Sequence, residues 1–73
     1  MTRTTFKHAC AALWGPQYQS EAARQLGIGR SSVVRYDLGE RSVPVPIADR
    51  LGDLLAERQA RIDGLLVKLR NGG

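Results

Sequence analysis

Apolar residues recur through most of the chain at the three- and four-residue spacing of amphipathic helices. The first such segment covers 5–14 and stops before Gly15 and Pro16, a pair that commonly ends helices. A threonine stands where an N-cap residue is wanted. The positions expected to face inward are Phe6, Ala9, Cys10 and Leu13.

Two shorter segments, 19–26 and 30–38, show the same spacing. The first ends at Gly27 and the second at Gly39, and glycine suits the left-handed conformation that closes many helices. The spacing therefore predicts two short helices joined by a tight turn. Their inward positions are Ala22, Ala23, Leu26, Val33 and Tyr36.

A proline-containing linker precedes the last segment, 47–70, for which Pro46 is well placed as the first helical residue. The segment forms one long helix or a bent pair. Gly52 and Gly64 each weaken a helix interior by about 1 kcal/mol, which makes a break within 58–64 credible. Along one side of this segment a row of residues recurs at alternating steps of four and three, apolar except for the charged Arg58. We call this row the seam: Leu51, Leu55, Arg58, Ile62, Leu65 and Leu69.

The pattern predicts an all-α fold, a compact bundle of four to five helices with an extended or bent C-terminal helix. The 73 residues leave room for one small core, hence a single domain over 1–73. We expect the first part of 47–70 to complete that core and the second to bury its apolar face in a homodimer. The expected dimer residues are Ile62, Leu65, Leu66 and Leu69.

The segment 19–36 meets the needs of two helices that cross steeply over a short turn. Ala23 is small where the helices touch, and Gly27 tolerates a positive φ in the turn. Here the chain resembles the Cro and phage-repressor family of helix-turn-helix proteins, whose pattern includes glutamine, alanine, glycine and an aliphatic residue at these offsets. It is also similar to small phage regulators, including anti-CRISPR-associated repressors. Gly29 departs from the family, in which a Ser or Thr cap is common.

The resemblance implies that 30–38 lies in the major groove of DNA and that the start of 19–26 abuts the backbone. Arginine can bond guanine O6 and N7 bidentately, and valine can contact a thymine methyl group. The expected base contacts are Arg30, Ser31, Val34 and Arg35. The expected phosphate contacts are Gln19, Ser20 and Arg41.

The charge balance favours a polyanionic partner such as double-stranded DNA. Eleven Lys and Arg oppose seven Asp and Glu, and residues 1–42 hold six of these bases against three acids. The single cysteine, Cys10, cannot form an internal disulfide, which suits a reducing compartment. Because no apolar run approaches the roughly 20 residues that span a bilayer, we expect a cytoplasmic protein without a membrane partner.

No carboxylate pair, nucleophile with its base or phosphate-binding loop supports catalysis, so we expect no enzyme activity. His8 and Cys10 point about 200° apart on a helix and cannot chelate a metal together. We therefore expect no metal, cofactor or small-molecule ligand. The aromatic pair Trp14 and Tyr18 is expected in the core, where it would pin the first helix to the second.

Together the residues and the resemblance predict a homodimeric transcriptional regulator, a repressor of phage or mobile-element type that occupies a palindromic operator. Two recognition helices one DNA turn apart, about 34 Å, would read an inverted repeat. The alternative is a helical adaptor or antitoxin-like subunit that binds another protein through its C-terminal helix.

Overall fold

A computed structural model describes residues 1–72, and in that range every regular element is an α-helix. The prediction of an all-α bundle with a long C-terminal helix is thereby confirmed. No helix within 1–72 is both long enough and apolar enough to cross a membrane. The helices are α1 (Arg3–Trp14), α2 (Gln19–Leu26), α3 (Arg30–Leu38) and α4 (Val45–Arg70).

The start of α1 lies earlier than the sequence predicts. The helix begins at Arg3, because the side-chain oxygen of Thr2 accepts a 3.1 Å hydrogen bond from the backbone N–H of Thr5. The predicted start at Thr5 is therefore wrong. Several threonines in this stretch can cap a helix, and residue type alone does not choose among them. The predicted bounds of α2 and α3 are confirmed.

The last helix, α4, is continuous. It begins at Val45 after the cap residue Pro44, so Pro46 is its second residue and not its first. It then runs unbroken to Arg70, and of the two alternatives left by the sequence the single long helix is the observed one. No break occurs within 58–64.

The core lies where α1, α2 and α3 meet the first half of α4. Phe6 and Tyr36 pack edge to face with their ring centroids 5.4 Å apart, and Leu51 of α4 is fully buried beside them. Tyr18 is buried as predicted, whereas Trp14 is only half-buried because it faces a groove beside α4. The fully or almost fully buried apolar residues are Phe6, Ala9, Cys10, Leu13, Tyr18, Ala22, Ala23, Val33, Tyr36 and Leu51.

Arg58 marks the point where α4 leaves the core. Its guanidinium donates a 3.0 Å hydrogen bond to the backbone carbonyl of Leu13, near the end of α1. Beyond it, every residue from 59 to 70 is exposed. The second half of α4 therefore projects from the bundle, and the molecule measures 48 × 22 × 20 Å.

Candidate nucleic-acid interface

A three-residue turn sets the crossing of α2 and α3. Gly27 adopts the left-handed conformation, with φ 68° and ψ 34°, and this reverses the chain at the end of α2. The next residue, Ile28, donates its backbone N–H to the carbonyl of Ala23 at 3.0 Å and packs half-buried against the core. The sequence-predicted roles of Gly27 and Ala23 agree with this geometry.

The amino ends of α2 and α3 carry no side-chain cap. Gly29 opens α3 with an extended backbone, and its carbonyl accepts the N–H of Ser32 at 3.0 Å. Tyr18 occupies the cap position of α2, but its hydroxyl bonds elsewhere. The first N–H groups of both helices therefore lack a side-chain cap, and an anion can accept hydrogen bonds from such groups.

The two sides of α3 have opposite character. Val33 and Tyr36 are buried, and they hold α3 onto α1 and α2. Successive residues of a helix are about 100° apart around its axis. On this basis the four predicted base-contact residues fall within a sector of about 140° on the other side of α3. All four are exposed: Arg30, Ser31, Val34 and Arg35. We call this side of the helix the α3 outer face.

The arginines of the α3 outer face have no acidic partner. Within residues 1–72 the only ion pair joins Arg24 to Glu21 on α2, at 2.6 Å. That contact, first through its hydrogen bond, lowers the pKa of the Glu21 carboxyl. Arg30 and Arg35 therefore keep their charge available to an external anion. Arg41, in the linker that follows α3, is exposed as well.

The one acid of α3, Asp37, is turned toward the start of α2. One carboxylate oxygen accepts a 2.6 Å hydrogen bond from the Tyr18 hydroxyl, and the other accepts one from the Gln19 amide at 3.4 Å. Burial is the main cause that raises the pKa of Tyr18 above its ordinary value, and the hydrogen bond from its hydroxyl to Asp37 raises it further. The predicted phosphate contact Gln19 is therefore half-buried against Asp37, whereas Ser20 is exposed.

Leu38 is a candidate contact residue that the sequence analysis did not single out. It is 56% exposed, and at about 100° per residue it falls within the sector of the α3 outer face. Its position four residues after Val34 was the available signal. Its carbonyl accepts a 3.1 Å hydrogen bond from Arg3, whose side chain crosses the end of α3.

A shallow groove runs between α1 and the end of α3. Its lining is mainly basic on the α1 side, and it adjoins Leu38. The residues that line it are Arg3, Thr4, Lys7, His8, Asp37 and Leu38. Arg3 and Lys7 are weaker candidates for phosphate contacts on the sequence alone, and the structure places both next to the α3 outer face.

The predicted dimer residues belong to a separate part of the molecule. All four are exposed on the second half of α4, beyond Arg58: Ile62 by 46%, Leu65 by 55%, Leu66 by 42% and Leu69 by 72%. The structure therefore does not bring them together with the predicted DNA contacts on α3.

The α3 outer face offers two guanidinium groups, a hydroxyl and exposed apolar side chains on one convex helix surface. These are groups that can bond base edges and contact methyl groups in a groove. No protein-family model, curated protein or solved structure matches the chain.

Proposed function

We propose that this protein is a sequence-specific DNA-binding transcriptional regulator, a homodimeric repressor similar to the Cro and phage-repressor family. The observation that carries the proposal is the α3 outer face. It is exposed, basic and free of ion pairs within the described residues, and it lies opposite the side of α3 that α1 and α2 hold. A helix presented in this way over a tight turn fits the major groove.

The chemistry of each side chain gives it a role in this proposal. Arg30 and Arg35 donate to guanine O6 and N7, and Ser31 bonds a neighbouring base edge. Val34, which is 37% exposed, contacts a thymine methyl group. The register of α3 along the groove decides which of the two arginines reaches a base and which reaches a phosphate.

Contacts to the DNA backbone come from groups around α3. Ser20 is exposed in the first turn of α2, where the helix lacks a side-chain cap, and it bonds a phosphate oxygen there. Arg41 adds a charged contact from the linker. Gln19 contributes through its backbone N–H at the same helix end, since its side-chain amide faces Asp37.

Repression follows from occupancy. Two copies bound to an inverted repeat within a promoter would cover the DNA that a polymerase needs. The exposed apolar residues of α4 supply a surface through which two copies can associate, because contiguous apolar patches of this kind commonly mark interfaces. The protein then acts in the cytoplasm on phage or mobile-element DNA.

Selection of bound sequences from random duplex DNA tests this function. We expect an enriched inverted repeat whose binding is lost when Arg30 and Arg35 are both replaced by Ala. The matched control is Arg50→Ala, which removes an exposed arginine from α4. No enrichment, or equal binding by the double variant and the control, would contradict the proposal.

A second candidate function has one observation in its favour. The exposed apolar residues on the second half of α4 would equally suit an adaptor or antitoxin-like subunit that binds a different protein. Sedimentation separates the two candidates. A chain that remains monomeric at high concentration, with these residues uncovered, favours the adaptor, whereas a dimer favours the repressor.

A further inference from the structure

The apolar residues on the second half of α4 continue the side of the helix that builds the core. Viewed down the helix at about 100° per residue, they fall within a sector of about 100° that also contains Leu51, Leu55 and Arg58. We call them the C-terminal stripe, composed of Ile62, Leu65, Leu66 and Leu69. One side of α4 is therefore covered by α1 and α2 up to Arg58 and uncovered beyond it.

We propose that the C-terminal stripe packs against the same stripe of a second copy of this chain, with the two α4 helices antiparallel. The proposal deepens the homodimer of the proposed function and rests on that part of it. It does not depend on DNA. Two features of the structure support the antiparallel direction.

The first feature is steric. In a parallel pair, the two α4 helices would lie side by side from the C-terminal stripe back to Leu51. The partner's helix would then cover the side of α4 on which Leu51 lies. That side is already occupied by α1 and α2, since Leu51 is fully buried and Arg58 bonds the carbonyl of Leu13. In an antiparallel pair the partner's α4 instead passes along residues 59–72, all of which are exposed.

The second feature is the spacing of the stripe. Ile62, Leu65, Leu66 and Leu69 are symmetric about the point between Leu65 and Leu66. An antiparallel pair centred there matches Ile62 with the partner's Leu69 and Leu65 with the partner's Leu66. Every apolar side chain of the stripe then meets an apolar side chain.

Charge does not distinguish the two directions. Lys68 and Arg70 place two cations in the last turn of α4. A parallel pair would gather four cations at one end, whereas the antiparallel pair sets this turn beside Arg58 and Arg61 of the other copy. With the centre between Leu65 and Leu66, the two Leu51 side chains lie about 44 Å apart along the helices, at about 1.5 Å per residue.

The pairing also accounts for a groove at the edge of the core. Trp14, the only tryptophan of the chain, is half-buried there beside Arg58 and Arg61. In the antiparallel register the last turn of the partner's α4 lies beside this groove. Tryptophan fluorescence should therefore change as the dimer dissociates on dilution.

Cysteine cross-linking tests the direction of pairing. Ile62→Cys and Leu69→Cys are made as separate variants, and each is oxidised alone and in an equal mixture. Wild type is the control, because Cys10 is buried. We expect disulfide-linked dimers in the mixture and almost none from either variant alone. Self-linking of each variant alone, or no linked dimer in any sample, would overturn the proposal.

A matched pair of surface variants tests the stripe itself. Leu65→Lys places a charge in the stripe, whereas Val67→Lys places one on the same helix about 140° from Ile62. Both positions are exposed, by 55% and 53%, so neither change disturbs the core. Sedimentation should show a monomer for the first and a dimer for the second. A dimer from Leu65→Lys, or a monomer from Val67→Lys, would contradict the assigned surface. Since no DNA is present, either result leaves DNA binding to be judged separately.

Discussion

The hydroxyl of Tyr18 donates a 2.6 Å hydrogen bond to the carboxylate of Asp37. This contact joins the residue that precedes α2 to the last turn of α3. Val33 and Tyr36 fix one side of α3 through apolar packing, and the Tyr18 contact fixes its carboxyl end. The orientation of the α3 outer face thus depends on a polar contact as well as on the core.

Replacement of Tyr18 by Phe should lower the free energy of unfolding by about 1 to 2 kcal/mol, because a part-buried hydrogen bond to a charged acceptor is lost. Urea denaturation measures the change. Gln19→Leu is the comparison, since it removes the longer 3.4 Å bond to the same carboxylate and should cost less. An equal or greater loss for Gln19→Leu would show that the Tyr18 bond is not the principal link.

Stability should fall at alkaline pH because of Cys10. Burial, and then the nearby Asp37 carboxylate, raises the pKa of this thiol from 9.0 to about 12. The folded state therefore holds the proton more tightly than the unfolded state does. The stability that this difference in pKa gives to the folded state is fully present below pH 9.0. It is lost as the pH rises toward 12.

Denaturation of wild type at pH 7 and pH 10 measures this effect, and the thiol should account for a loss of about 1 kcal/mol. Cys10→Ala lowers stability at both pH values but should show a smaller decrease between them. If the variant and the wild type lose the same amount, another group causes the alkaline loss.

Two glycine-to-alanine changes should have opposite effects on the free energy of unfolding. Gly27 has a φ of 68°, and alanine in this conformation costs about 1 to 2 kcal/mol. Gly64 lies inside α4 with open space where a Cβ would stand, so alanine should stabilise the helix by up to about 1 kcal/mol. Thermal unfolding at one protein concentration compares them. A stabilising Gly27→Ala would contradict the assigned turn.

The single changes Arg30→Ala and Arg35→Ala should weaken binding to the selected operator. Loss of a base contact costs about 1 to 3 kcal/mol and relaxes the preference at one position, whereas loss of a phosphate contact weakens all sequences alike. Gel-shift titrations on the operator and on single-base variants separate these outcomes. Arg50→Ala should leave affinity almost unchanged. Unaltered binding by both α3 variants would remove α3 from the interface.

Much of the fold is predictable because its signals are local. The carboxyl ends of α2 and α3 follow from Gly27 and Gly39, whose positive φ values end the helices. The core follows from the helical spacing of apolar residues. The start of α1 was less determined, because neighbouring threonines compete for the same capping role.

The remaining contacts were not predictable because they join residues far apart in the sequence. Arg58 looked like an interruption of the apolar seam, yet it bonds the carbonyl of Leu13, 45 residues away. Asp37 showed no sign that it would meet Tyr18. For the candidate site, residue types and the helix-turn-helix spacing indicate the exposed positions of α3 and, more weakly, Arg3 and Lys7. That Arg3 and Lys7 line one groove with Leu38 depends on the packing of α1 against α3.

Because α4 is one continuous helix, a small tilt at its core end displaces its far end by a larger distance. Leu69 lies about 27 Å along the helix from Leu51, at about 1.5 Å per residue. Over that length a tilt of about 5° at the core displaces Leu69 by about 2 Å, on the order of the tolerance of side-chain packing. A substitution of a core residue that packs against Leu51 could therefore misalign the C-terminal stripe without altering any residue of the stripe.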